Sequence, residues 1–92
     1  MPSFSPEEAW QLVQRGDAEL LDLRTRAERR LLGFPPKSRK VSLVRHTLRP
    51  KGPGTIYLCQ HAVRSKLTLQ NGAAEVEGGF AEWSDRGLPV ER

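Results

Sequence analysis

Sulfur-bearing residues are scarce in this 92-residue chain, which has one cysteine and one methionine. A single cysteine cannot form an internal disulfide or supply a multi-cysteine zinc site. A free thiol is easiest to keep in a reducing compartment, so this composition favours the cytoplasm. The thiol of Cys59 is therefore either an inert buried group or a reactive one, and its surroundings in the sequence must decide between them.

Long apolar segments are also missing. No run approaches the roughly 20 residues needed to span a bilayer, and residues 1–6 lack the charged and apolar regions of a secretory signal. The composition, 37% hydrophobic and 28% charged, is typical of a small globular domain. We therefore expect a single domain over residues 1–92, located in the cytoplasm, with no membrane association.

Acidic residues are fewer than basic ones, 11 against 15, which gives a net charge of +4. One segment carries a basic cluster made of Lys37, Arg39, Lys40, Arg45, Arg49 and Lys51. Such a cluster could steer anionic substrates or an acidic partner protein, although a solvated basic face is the simpler interpretation. Aromatic residues for base stacking are absent between Lys37 and Lys51, so no direct nucleic-acid binding is expected.

Helix and strand patterns alternate along the chain, as is typical of a parallel α/β sheet. Ser5, Pro6 and two glutamates open the first helix, because serine caps, proline fits the first turn and acids face the positive end of the dipole. The other predicted elements are a strand at 18–23, a helix at 26–32 closed by Gly33, a central strand at 41–44, a strand at 55–58, a strand at 73–76 and a helix at 80–85.

The position of Cys59 favours chemistry over an inert role. It directly follows the apolar run Thr55-Ile56-Tyr57-Leu58, which reads as a buried strand. The carboxyl ends of parallel strands face the ligand crevice, so Cys59 would be the first residue to emerge there. If residues 60–65 curl over the sulfur, their backbone N–H groups would favour negative charge on it.

The loop that begins at this cysteine resembles the active-site loop of the rhodanese family. The usual family loop reads Cys-x-x-Gly-x-Arg-Ser, and this chain has Cys59-Gln60-His61-Ala62-Val63-Arg64-Ser65. Alanine therefore stands at Ala62, where the family usually has glycine.

Two further blocks extend the resemblance. Glu19-Leu20-Leu21-Asp22-Leu23-Arg24, followed by Glu28, is similar to the family's strand ending in Asp-Val-Arg and its following helix. Glu77-Gly78-Gly79-Phe80-Ala81-Glu82-Trp83, followed by residues 87–90, is similar to its closing motif. The resemblance implies a small three-layer α/β/α rhodanese-like domain over residues 1–92, with a central, mostly parallel sheet of four to five strands.

Two segments depart from the family pattern. Residues 33–40 replace the usual Gly-His-Ile-Pro-Gly-Ala, so the shape of the pocket is expected to differ. Thirteen residues separate Arg64 from Gly78, fewer than is usual in the family by about two helical turns. The helix that follows the loop must therefore be very short.

The resemblance implies a sulfurtransferase that works through a cysteine persulfide. Cys59 would be the catalytic nucleophile. The substrate-binding residues would be Gln60, His61, Ala62, Val63, Arg64 and Ser65, with Asp22 and Arg24 in support. The donor would be a small thiosulfate-like anion and the acceptor a thiol, cyanide or a sulfur-carrier protein. No metal or organic cofactor is required.

Individual side chains in this loop have alternative roles. Arg64 could attract the anionic donor, or it could hold the loop in shape through a carboxylate such as Asp22. Arg24 and His61 are candidates for lining the mouth of the site. Taken alone, each of these charged residues would be interpreted as a solvated or ion-paired group.

Two other functional classes remain as alternatives. One is a non-catalytic or sulfur-carrier module of the same fold, which the short helix and Ala62 keep open. The other is a cysteine-dependent phosphatase or arsenate reductase, since related proteins use cysteine and arginine around an anion. Their loops hold five residues between cysteine and arginine, whereas four residues here form a smaller ring suited to one sulfur.

Overall fold

The computed structural model describes residues 3–92, and within them five strands form one sheet. The strands are β1 (Ser3–Phe4), β2 (Glu19–Asp22), β3 (Ser38–Lys40), β4 (Thr55–Leu58) and β5 (Ala74–Val76). Their order is β1-β5-β4-β2-β3, and every neighbouring pair is parallel. The expected parallel sheet of four to five strands is therefore confirmed, with β4 at its centre.

Within the described residues there are four α-helices and one 3₁₀ helix, and all but the last of them along the chain connect consecutive strands. They are α1 (Pro6–Gln14), α2 (Arg26–Leu32), α3 (Leu43–Leu48), the 3₁₀ helix (Arg64–Thr68) and α4 (Gly79–Asp85). The structure thus agrees with a very short helix after the Cys59 loop. No helix within residues 3–92 is long and apolar enough to cross a membrane.

Helices α1 and α4 cover one face of the sheet, where the larger core lies. Ala9 and Val13 of α1 join Phe80 and Trp83 of α4 in one buried cluster with side chains of the strands. Trp10 meets Trp83 edge to face with ring centroids 5.7 Å apart, a favoured aromatic arrangement.

A smaller core lies on the opposite face, under α3 and the 3₁₀ helix. Its buried members are Leu21, Leu23, Tyr57, Cys59 and Ala73. Helices on both faces of one sheet confirm the three-layer α/β/α architecture. Cys59 therefore belongs to the smaller of the two cores.

Capping residues define two of the helix starts. Ser5 and Glu8 form a reciprocal capping box at α1, and Thr25 and Glu28 form another at α2, which satisfies backbone N–H groups that have no helical partner. Gly33 ends α2 with a positive φ of 84°. The predicted helix at 26–32, closed by Gly33, is therefore confirmed.

The predicted central strand at 41–44 is wrong. The strand lies at Ser38–Lys40, on the edge of the sheet, and the following residues enter α3. The Ser42 hydroxyl accepts a hydrogen bond from the Arg45 N–H at 3.2 Å, so it caps a helix that begins one residue later. The short strand β1 was also missed, because two residues give too brief a pattern.

Candidate functional site

Cys59 directly follows β4, between the carboxyl ends of β5 and β2. In parallel α/β sheets, ligands usually bind in the crevice at this end of the strands. The residue is only 1% exposed, so the sulfur lies beneath the loop that follows. Its Sγ donates a hydrogen bond to the Ser65 hydroxyl at a distance of 3.7 Å.

Residues 60–65 fold back over this sulfur. Ser65 is fully buried, Ala62 is nearly so, and the side chains of His61 and Val63 face outward. Ala62 has a φ of +60°, the left-handed region that suits glycine and strains an L-residue. Alanine therefore adopts a left-handed conformation here that glycine would adopt at less cost in stability.

The amino-terminal end of α4 holds the start of the loop. The Phe80 N–H donates to the Cys59 carbonyl at 2.8 Å, and the Ala81 N–H donates to the Gln60 carbonyl at 3.0 Å. A Cβ on Gly79 would lie 2.7 Å from the Gln60 carbonyl oxygen and 2.8 Å from the Ala62 nitrogen. Only glycine permits this approach, which gives the Gly78-Gly79 pair of the closing motif a physical role.

Asp22 and Arg24 form a buried ion pair at the end of β2. Both side chains are inaccessible, and the Asp22 carboxylate accepts hydrogen bonds from the Arg24 backbone and guanidinium. Arg29 of α2 donates to the same carboxylate at 2.8 Å. One buried negative charge is thus shared by two cations, the kind of pairing that burial demands.

Arg24 does not line the mouth of the site, contrary to one expectation from the sequence. Its guanidinium donates to the Gln60 side-chain oxygen at 3.2 Å and to the Gly33 carbonyl at 2.8 Å, and it stacks 4.1 Å above the Phe80 ring centre. The residue therefore supports the loop from within. His61, by contrast, is exposed and remains available at the outer surface.

The Arg64 side chain pairs with a carboxylate, as one of the two expectations had it, but the carboxylate is that of Glu28 in α2 and not Asp22, the example given. Two hydrogen bonds, 3.0 and 2.7 Å long, join the guanidinium to the carboxylate. These bonds from Arg64 are the main reason why the pKa of Glu28 is lowered to about 2. The hydrogen bond from Glu28, in turn, raises the pKa of Arg64. Asp22 was the wrong partner because Arg24 and Arg29 already surround it.

Glu75 is a site residue that the sequence reasoning missed. It lies in β5, is 1% exposed, and accepts a hydrogen bond from the Ser65 hydroxyl at 2.6 Å. Lys66 forms an ion pair with its other carboxylate oxygen. The available signal was a single acid inside the otherwise apolar run 73–76, where a charge is unusual unless it is paired.

The basic cluster lies elsewhere. Five of its six members border an open groove of about 1010 Å³ beside β3 and α3; they are Arg39, Lys40, Arg45, Arg49 and Lys51. Arg39 and Lys51 also pair with Glu19. None of residues 59–65 lines this groove, so the basic cluster is separate from the Cys59 site.

Metal-ligating side chains do not gather at this site. Across residues 3–92, no three histidine, cysteine or acidic side chains are placed to hold a metal ion. The groups available around Cys59 are a hydroxyl, a carboxylate, guanidinium ions and backbone amides. This set suits nucleophilic chemistry at sulfur with proton transfer and anion stabilisation.

No family model matches the chain, and no curated protein matches it by sequence. Solved structures do match. A rhodanese-related protein from Thermoplasma volcanium is similar with a TM-score of 0.78 and 20% identity, over 98% of this chain and 97% of that one. The polysulfide-sulfur transferase homodimer of Wolinella succinogenes is similar with a TM-score of 0.75 and 24% identity, over 100% of this chain and 80% of that one.

A third similar structure comes from Rhodopseudomonas palustris and is described as a protein of unknown function, a possible tyrosine phosphatase. Its TM-score is 0.79 with 23% identity, over 99% of this chain and 85% of that one. At these identities the likeness establishes the fold. The chain has the rhodanese-like α/β fold, with the parallel five-stranded sheet described above.

Proposed function

We propose that the protein is a sulfurtransferase that moves a sulfane sulfur from a thiosulfate-like donor to a nucleophilic acceptor. The observation that carries this proposal is the position of Cys59 at the carboxyl end of the central strand, inside a loop fixed at both ends. α4 holds the start of the loop through the Cys59 and Gln60 carbonyls, and Glu28 holds its end through Arg64.

The reaction has two half-reactions. The Cys59 sulfur attacks the outer sulfur of the donor, a new S–S bond forms, and the old S–S bond breaks so that sulfite leaves with its electron pair. The acceptor then attacks the outer sulfur of the persulfide and regenerates the Cys59 thiolate. Since the persulfide is anionic, backbone amides of residues 60–65 would stabilise it as an oxyanion hole stabilises an oxyanion.

The spacing of the loop supports sulfur over phosphorus chemistry. Four residues lie between Cys59 and Arg64, one fewer than in the related phosphatases. The smaller ring leaves room for one sulfur but not for a phosphoryl group in line with the thiol. In addition, the Arg64 guanidinium makes two hydrogen bonds to Glu28, which supports a role in holding the loop.

Burial of the thiol favours a second candidate, a non-catalytic or sulfur-carrier module. Cys59 is 1% exposed, and a donor cannot reach it unless residues 60–65 move. A module that only stores or presents sulfur would tolerate slow opening of this loop, whereas an enzyme must open it on every turnover.

Steady-state kinetics separate these candidates. With thiosulfate as donor and cyanide as acceptor, a sulfurtransferase forms thiocyanate repeatedly, and Cys59→Ser abolishes the reaction. A carrier takes up one sulfur but turns over little, and a phosphatase hydrolyses an aryl phosphate without forming thiocyanate. Phosphate hydrolysis without sulfur transfer would overturn the proposal.

The proposed partners are a small anionic sulfur donor, and a thiol, cyanide or a sulfur-carrier protein as acceptor. The net charge of +4 supports attraction of such anions. A reducing location, the cytoplasm, is proposed because the reaction needs a free thiol.

A further inference from the structure

Glu75 is a buried carboxylate on the same side of the sheet as Cys59. Its strand neighbours Ala74 and Val76 belong to the core under α1 and α4. Since successive side chains of a strand alternate between faces, Glu75 points to the opposite side, where the Cys59 core lies. A carboxylate that is 1% exposed is costly to bury and needs partners.

Two hydrogen bonds link this carboxylate to the thiol through Ser65. The Cys59 Sγ donates to the Ser65 Oγ at 3.7 Å, and the Ser65 Oγ donates to the Glu75 Oε1 at 2.6 Å. Both bonds run in the same direction, from sulfur to carboxylate. Lys66, whose side chain is 48% exposed, holds the other oxygen, Oε2, and so leaves Oε1 to Ser65.

We propose that Glu75 is the proton acceptor for Cys59 and acts through the Ser65 hydroxyl. This inference rests on the proposed function, in which Cys59 is the nucleophile. As the sulfur attacks a donor, the S–H proton passes to the Ser65 oxygen, and the Ser65 hydroxyl proton passes to Glu75 Oε1. A neutral thiol, a thiosulfate dianion and a carboxylate become a persulfide anion, sulfite and a carboxylic acid.

The relay also solves an electrostatic problem. A persulfide anion and an ionised Glu75 would be two like charges close together in a poorly solvated place, which is unfavourable. Moving the thiol proton to Glu75 removes its charge at the moment when charge appears at sulfur. When the acceptor takes the outer sulfur and leaves the Cys59 thiolate, the carboxyl group returns the proton to the sulfur through Ser65, so each turnover begins with a neutral thiol and an ionised Glu75.

Of the groups that face Glu75, Ser65 is the one that connects it to the thiol. On the 3₁₀ helix the charged neighbour is Lys66. Tyr57 lies opposite Glu75 on β4, but its hydroxyl bonds to His46 of α3 and to the Lys51 N–H. On the other side Ser3 of β1 is opposite, and its hydroxyl donates to Glu77. Within residues 3–92, Ser65 is thus the group that contacts both Cys59 and Glu75 through its side chain.

Thiol alkylation tests the relay without any sulfur donor. In the reaction with iodoacetamide an S–C bond forms, iodide leaves, and the thiol proton moves to Glu75 by the same route. The thiolate fraction is measured separately from its ultraviolet absorbance. If the relay operates, the neutral thiol also reacts with iodoacetamide. At a pH where most of the thiol is protonated, the alkylation rate then exceeds the rate expected from the thiolate fraction alone.

Glu75→Gln and Ser65→Ala should each remove this excess, a loss of about 100-fold at low pH, the lower range for general-base catalysis. The double variant should lose no more than either single variant, because both act in one relay. Ser65→Thr keeps the hydroxyl and should restore the excess. Glu77→Gln, at a nearby exposed acid, is the matched control and should leave the rate unchanged.

Two results would overturn the inference. One is a wild-type rate that simply follows the thiolate fraction across the pH range, and the other is an excess that survives in both Ser65→Ala and Glu75→Gln. Using both variants keeps the test valid if one fails to fold. Excess reactivity without sulfur uptake from thiosulfate would reject the proposed function alone, and uptake without excess reactivity would reject the relay alone.

Discussion

The Arg64 guanidinium and the Glu28 carboxylate are joined by two hydrogen bonds, 3.0 and 2.7 Å long. Both side chains are less than a third exposed, so solvent screens the pair only partly. Glu28 also closes the capping box of α2. One carboxylate therefore connects the start of α2 to the end of the Cys59 loop, and a change at either residue should affect the loop.

Arg64→Ala should lower the free energy of unfolding by about 1–2 kcal/mol, because it breaks a charged two-bond contact. The donor KM of the remaining folded protein should change little. Glu28→Gln should reproduce this result. Unfolding by denaturant and thiosulfate kinetics measure the two effects.

Arg86→Ala is the matched control, since Arg86 also bonds two carboxylates, those of Glu7 and Glu82, on the exposed surface. It should destabilise the protein less than Arg64→Ala does, because solvent screens both of its contacts, and it should leave the kinetics unchanged. A large rise in donor KM for Arg64→Ala with no loss of stability would instead assign Arg64 to donor attraction.

The Glu28 contact should make stability depend on pH. Hydrogen bonds from Arg64 are the first cause that lowers the pKa of Glu28 from 4.5 to about 2. The unfolded chain therefore binds the proton more tightly, and acid favours unfolding. The stabilisation by Glu28 is fully present above pH 4.5 and is lost as the pH falls towards 2. Unfolding curves of wild type and Glu28→Gln should converge over this range, and a constant gap between them would contradict the assignment.

Gly79→Ala should strongly destabilise the protein. Gly79 has a φ of +66°, and a Cβ there would collide with the Cys59 and Gln60 carbonyls and the Ala62 nitrogen. Gly87→Ala provides the control, because its φ is +71° but a Cβ there would meet nothing within 4 Å. Both variants lose about 1–2 kcal/mol to backbone strain, and Gly79→Ala should lose a further 1–3 kcal/mol, roughly, to overpacking. Equal losses in thermal or denaturant unfolding would show that the loop and α4 are not in close contact.

Ala62→Gly should relieve strain in the loop. Ala62 has a φ of +60°, and glycine removes the steric penalty while adding entropy to the unfolded chain. The net stabilisation should be up to about 1 kcal/mol. Lys37→Gly is the control at a φ of +67° outside the loop. Both should raise the melting temperature, but only Ala62→Gly should change the alkylation rate of Cys59, and equal rates in the two variants would contradict this account.

Most of the fold follows from local signals in the sequence. Ser5 and Gly33 define helix ends through capping and a positive φ, and residues 55–58 are apolar enough to form the central strand. The region 38–48 could not be predicted in this way, because edge strand β3 has no buried residue and α3 has only one. Neither element therefore shows a clear apolar period.

The candidate site, too, could be predicted only in part from the sequence. Cys59 could be located from its place after a strand, whereas its partners depend on contacts distant in sequence. Glu28 meets Arg64 across 36 positions, and Ser65 meets Glu75 across 10. Asp22 was the example expected as a partner for Arg64, and nothing in the sequence pointed to Glu28. The packing of α2 against β2 brings Arg29 to Asp22. The Asp22 carboxylate is therefore already paired, and the Glu28 carboxylate binds Arg64.

Whether Cys59 carries sulfur is tested most directly by the mass of the intact protein after incubation with thiosulfate and removal of the excess. The wild-type protein should gain one sulfur atom, cyanide should remove it, and Cys59→Ser should gain none. A wild-type protein that gains no sulfur, or a Cys59→Ser protein that gains as much as wild type, would contradict the proposed persulfide chemistry.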